Sequence, residues 1–199
     1  GDAPPTPLEE LALKLRRARY PVIVWAAAAL PGRHADLIVG TLAGLIKELN
    51  SQGRCAGLPL SGPNNVVGVN QVCAWQTGVP LRTSFAAGVP DHDPVRWSVE
   101  AVLRDGAADA LVWIASLCHL PLPATVPPMV ALIRAGDPPP PAAEVVIPVG
   151  QPGLDHAGSL YRTDSVVAVP VAALRAQPVA PSVATVLEAI RQRLGRPAG

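Results

Sequence analysis

The chain reads as an α/β protein, a three-layer Rossmann-like domain with a mainly parallel sheet and a small antiparallel addition. Two patterns predict this class. Short uninterrupted apolar runs of strand length recur along the sequence, as in strands covered on both faces. Between them lie segments whose apolar residues repeat at helical spacing, so strands and helices alternate. With 199 residues, one domain with its own core is attainable. No internal repeat or flexible linker divides the chain, so a single domain over 1–199 is expected, with sheet order 2-1-3-4-5.

Each element has its own signal. Leu8, Leu11, Leu15 and Ala18 predict an amphipathic helix over 7–18, ended by Tyr20-Pro21. The run from Pro21 to Ala27 is the first buried strand. Leu37, Ile38, Leu42, Leu45, Ile46 and Leu49 give the next helix, closed by Asn50 and Gly53. Residues 54–58 predict strand two, and a helix is expected over 66–76. Residues 97–105 read as a helix, 109–115 as strand three, 129–134 as strand four and 144–149 as strand five. The prolines at 138–141 make a rigid turn between the last two, because proline lacks the N–H that a ladder needs. Residues 158–162 and 166–171 form the antiparallel addition. Val183, Leu187, Ile190 and Leu194 make a final helix behind the cap Ser182.

Composition excludes several classes. A formal net charge of +1 gives no basic footprint for nucleic acid and no polybasic patch for lipid. No apolar run reaches the roughly 18 residues of a membrane span, and residues 1–5 lack the order of a signal peptide. A cytoplasmic protein is expected, Gly1 reading as a cloning remnant and the chain as part of a longer gene. The three cysteines, Cys55, Cys73 and Cys118, are widely spaced without C-x-x-C. They read as reduced thiols and encode no metal or cluster site.

In an open parallel sheet, ligands bind beyond the carboxyl ends of the strands. That edge gathers residues 28–33, 61–65, 116–121 and 150–156. The turn after strand one lacks G-x-G-x-x-G, and neither a P-loop nor a G-x-S-x-G elbow occurs. Asn64, Asn65, Asn70 and Gln76 present amides that match a pterin or guanine edge; equally, they cap helices and satisfy loop backbone, Asn64 or Asn65 serving as an N-cap. His34 reads as a surface residue at a helix start. His156 is the one histidine with a possible site role, the alternative being a structural hydrogen bond. Arg162 and Asp164 alternate on an extended segment, where they clamp an anion, pair with each other or meet a partner. Trp25, Trp75, Trp97 and Trp113 read as core or interface.

Several blocks, in matching order, resemble the B subunit of formylmethanofuran dehydrogenase, a branch of the molybdopterin oxidoreductases. They are the alanine-rich strand after Tyr20-Pro21, residues 65–70 (NVVGVN), 75–80 (WQTGVP), 108–111 (ADAL), 144–148 (EVVIP) and 156–164 (HAGSLYRTD). The resemblance implies an ancestral pterin rim of Asn64, Asn65, Asn70, Ser116, His156, Gly158, Ser159, Arg162 and Asp164. In this family the B subunit carries a tungsten or molybdenum bis-pterin guanine dinucleotide centre and a [4Fe–4S] cluster, with cysteine ligands in its other half. No such ligands stand here, and residues 115–121 lack the Asp-Pro pair expected after the serine. This departure resembles the B subunit of the bacterial formyltransferase/hydrolase complex, which works in formaldehyde oxidation in methylotrophs without a redox centre.

The resemblance therefore implies a structural B-type subunit with A-, C- and D-type partners, no cofactor or metal of its own and no catalytic residue. Two alternatives stay open. One is a piece of a true tungsten or molybdenum dehydrogenase; the other is an independent Rossmann-like binding domain for a small ligand.

Overall fold

A computed structural model describes residues 6–26, 29–30, 34–62, 64–124 and 127–195. The turn expected to follow strand one, 28–33, lies mostly outside them. The chain divides into two compact units: Gly1–Pro63 with Arg162–Val167, and Asn64–Tyr161 with Ala168–Gly199.

In the first unit, α1 (Pro7–Arg17) begins with a capping box. The Thr6 hydroxyl accepts from Glu9 N–H while the Glu9 carboxylate accepts from Thr6 N–H. The strand β1 (Val22–Ala26) pairs in parallel with β2 (Ala56–Leu60), connected through α2 (Ala35–Asn50). His34 is exposed at the start of α2. Strand β2 begins two residues later than the apolar pattern predicts. The cause is Asn50, whose amide donates to Cys55 C=O at 2.8 Å and accepts from Cys55 N–H at 3.0 Å. That clasp binds the chain to the helix end before the ladder can start. Beyond it, a Cβ on Gly57 would lie 2.6 Å from Ile46 Cδ1 and 3.1 Å from the Trp25 ring, so β2 sits tight against α2 and β1.

The second unit holds α3 (Val66–Thr77), a two-residue hairpin of β3 (Thr83–Ser84) and β4 (Asp91–His92), and α4 (Val99–Arg104). The apolar pattern contains no signal for this hairpin. The helix expected over 97–105 starts later. Asp93 first accepts from Val95 and Arg96 N–H, both at 2.9 Å, in a turn, and Ser98 then caps α4.

Then come β5 (Leu111–Ala115), β6 (Met129–Arg134) and β7 (Ala143–Val149), a parallel sheet in the order β5-β6-β7. One face carries the core: Ala115, Met129, Ala131 and Ile133, flanked by Leu111, Trp113, Leu122, Ala143 and Val146. On the opposite face Leu132 is fully buried, with Ile114 and Ile147 beside it in register. The antiparallel addition is β8 (Gly158–Tyr161) against β9 (Ala168–Val171), and α5 (Val183–Leu194) ends the unit behind its Ser182 cap.

The mixed, mainly parallel α/β class is thus observed. Hydrogen-bonded pairing gives the part-orders β2-β1 and β5-β6-β7 among the described residues.

Candidate functional site

The second unit contains a cleft of about 900 Å3. Its walls are one side of α3 (Asn65, Gly68, Val69, Val72, Trp75) and the start of α5 (Ser182, Val183, Ala184, Leu187). Ser116, Gly150, Pro152, His156, Ala157, Ser159, Tyr161 and Ala168 complete it. It therefore gathers residues from the ends of β5 and β7, where ligands of parallel sheets bind.

Asn65 shapes this cleft. It occupies the N-cap position of α3, as expected, but its side chain makes no capping bond. Its backbone is left-handed (φ 56°), a conformation asparagine tolerates. The amide instead reaches β8, donating to Ser159 C=O at 3.1 Å and accepting from Tyr161 N–H at 2.8 Å. It thereby imitates one rung of a β-ladder. Gly68 makes room for it, since a Cβ there would lie 2.6–2.8 Å from the Asn65 amide atoms.

The other predicted amides are also engaged by the chain itself. Asn64, left-handed at φ 61°, accepts from the Cys118 thiol at 3.1 Å. Asn70 accepts from Leu81 N–H at 3.1 Å and fastens the segment after α3. His156 has Nδ1 2.9 Å from Ala157 C=O and Nε2 3.4 Å from Gly150 C=O, so backbone oxygens stand at both ring nitrogens.

Of the expected rim, the cleft brings together Asn65, Ser116, His156 and Ser159. Asn64, Asn70 and Gly158 lie in the same unit without lining it. A Cβ on Gly158 would lie 3.0 Å from Pro152 Cβ, so this glycine is fixed by close packing.

Arg162 and Asp164 belong to the first unit. They lie in a turn, not on an extended segment: Ser165 N–H donates to Arg162 C=O and Arg162 N–H to Val167 C=O. The two charges pair, with Arg162 Nε 2.8 Å from Asp164 Oδ2. That bond, helped by Val166 N–H, holds the Asp164 carboxyl below the usual range.

Trp75 is 70% exposed on the cleft wall, which removes it from the core and leaves the interface half of its expectation. Lining residues that sequence reasoning misses include Gly68, Val69 and Val72 of α3 and Leu187 of α5. For those of α3 the signal is the spacing of Val69, Val72 and Trp75, which places them on one helical stripe.

Asp155 is the buried charge beside the cleft, 5% exposed. It accepts from Gln151 N–H at 2.9 Å, from Arg175 at 2.7 Å and from Val179 N–H at 3.3 Å. The Gln151 bond first, then Arg175, hold its carboxyl below the ordinary aspartate range. Such a group stabilises the fold above its unfolded pKa, and the contribution fades as pH falls through the lower folded value. Acid unfolding is therefore expected to steepen below about pH 4. Asp155→Asn should lower the thermal midpoint at pH 7 and flatten that acid dependence. A melt series from pH 7 to 2 checks this, the other carboxyls held low (Glu9, Asp93, Asp105, Asp164 and Glu188) supplying the dependence that remains.

The cleft contains no Asp, Glu, Lys or Arg, and His156 and Tyr161 are its titratable groups. No nucleophile with an adjacent base stands there. No group of three His, Cys, Asp or Glu able to hold a metal occurs among the described residues, and the nearby Cys118 thiol faces an amide. The arrangement suits an apolar or aromatic surface.

No protein-family model matches the chain. In three dimensions it is similar to a chain of the formyltransferase/hydrolase complex FhcABCD from Methylorubrum extorquens, crystallised with methylofuran. The TM-score is 0.82 and the identity 34%, over 96% of this chain and 53% of that one. The chain thus shares the fold of part of that chain.

In sequence, the chain is homologous to the Fhc B subunit of the formyltransferase/hydrolase complex of the same organism. They are 35% identical over 159 residues, which is 76% of this chain and 42% of that protein. It is likewise homologous to the B subunit of tungsten-containing formylmethanofuran dehydrogenase 2 of Methanocaldococcus jannaschii, at 30% over 141 residues, 68% of this chain and 32% of that one. The chain spans less than half the length of these curated relatives. No helix among the described residues is long and apolar enough to cross a membrane.

Proposed function

We propose that the chain is a B-type component of a cytoplasmic formyltransferase/hydrolase-like complex of one-carbon metabolism. It serves structurally, without a redox centre of its own, together with A-, C- and D-type subunits. The observation that carries this is the likeness of 96% of the chain to part of one FhcABCD chain. The cleft chemistry supports the structural role. The amides Asn64, Asn65 and Asn70 bind the chain's own groups, so the ancestral pterin rim persists as a shape-holding framework.

The test is affinity capture of the native assembly through this polypeptide, with elemental mass spectrometry for tungsten, molybdenum and iron and fluorescence of oxidised pterin. Co-purified A-, C- and D-type subunits with formyltransferase/hydrolase activity and no stoichiometric metal are expected. A stable monomer that never associates would sink the reading. Stoichiometric tungsten or molybdenum would establish the dehydrogenase alternative, which the match to the tungsten-containing relative favours.

A further inference from the structure

We propose that the cleft of the second unit is a protein-docking surface, occupied by an apolar segment from the half of the B-type polypeptide that this chain does not span. The inference rests on the reading of the chain as part of such a polypeptide. Three observations carry it. First, several large apolar side chains of the second unit are left exposed, Val69, Val72, Trp75, Val112 and Val145 among them, and clustered exposed apolar surface marks interaction sites. Second, the covering mass exists in the relatives: the FhcABCD chain matches nearly all of this chain over only 53% of its own length.

Third, the cleft has the composition of an interface core. Val69, Val72 and Trp75 lie three residues apart along one stripe of α3, and Leu187 stands among the lining residues from α5. All four are more than one-third exposed. Charged residues are depleted at interface cores, and tryptophan is enriched at their energetic centres. The lining has neither lysine nor arginine, so it offers no side-chain counter-charge to a diphosphate or other anionic cofactor. Its neutral, aromatic-bearing walls fit a protein segment better.

The test co-expresses this chain with the tagged remainder of its own B-type polypeptide and measures retention and affinity. Wild type is expected to be retained. Trp75→Glu and Leu187→Glu, on exposed positions of two different helices, should each weaken binding by about thirty-fold or more. Val95→Glu, 79% exposed and outside the cleft, should leave binding unchanged. Circular dichroism should show all three variants folded like the parent.

Failure of the wild-type pair to associate would overturn the proposal, as would full retention of both cleft variants. So would a Trp75-dependent homodimer, or saturable quenching of Trp75 by a pterin or nucleotide that displaces the remainder. Neutral cleft variants in a complex that still captures the A-, C- and D-type subunits would overturn this inference alone. Binding of the remainder without those subunits would overturn the broader reading alone.

Discussion

Truncating Leu132 to alanine is expected to cost about 2–5 kcal/mol, the cost typical of a fully buried leucine. Leu132 is 0% exposed at the centre of β6, with β5 and β7 hydrogen-bonded on its two sides. Removing three carbons there leaves a void that two paired neighbours cannot collapse into, so the cavity penalty adds to the lost transfer energy. The same change at Val112 should cost no more than about 0.5 kcal/mol. Val112 lies on the same face one rung away, but on the outer strand of the three-stranded sheet and 55% exposed. Urea unfolding of the two variants measures the contrast. Equal losses would mean that Val112 is covered in the isolated chain and that this face carries a uniform core.

Asn65→Asp is expected to destabilise the second unit by about 2–3 kcal/mol at pH 7. The substitution keeps size and tolerance of the left-handed backbone. The carboxylate still accepts from Tyr161 N–H. It cannot donate to Ser159 C=O, and sets a negative oxygen where the amide N–H had been. Protonation restores a donor, so the folded protein binds that proton more tightly than the unfolded chain. The folded pKa of the new carboxyl is therefore raised, and the deficit relative to wild type should narrow as pH falls through it. Melts of both proteins from pH 7 to 4 check this. A deficit independent of pH would show that the amide's donor to Ser159 has no energetic role.

These expectations rest on features of unequal legibility in sequence. Strands of the parallel ladders are visible because they are compact apolar runs: 129–134 is observed with the predicted bounds, and 22–26 differs only at its ends. Ser182 is visible because capping is local; its hydroxyl accepts from Thr185 N–H three residues on. The bounds of β2 and α4 shift where a polar side chain, Asn50 or Asp93, captures backbone groups just before the element. Nothing in an apolar pattern records that competition. The role of Asn65 is beyond local reading altogether, since its partners lie 94 and 96 residues away. Asp155 is hidden likewise, because its counter-ion is 20 residues downstream. Long-range polar pairing gives this cleft its form, and composition alone does not encode which amide meets which strand.

The clasp between Ser61 and the turn after β8 has a consequence for synthesis. Ser61 N–H and its hydroxyl both donate to Thr163 C=O, at 2.7 and 2.9 Å, across 102 residues of chain. A ribosome adding roughly 5–20 residues per second needs about 5–20 seconds to make that intervening stretch. For that interval β1, β2 and their helices must persist without the strap formed by residues 162–167, while most of the second unit is being made. The first unit to emerge is thus among the last to be finished. A gene cut after Pro63 would release it with its fastening encoded on the other piece.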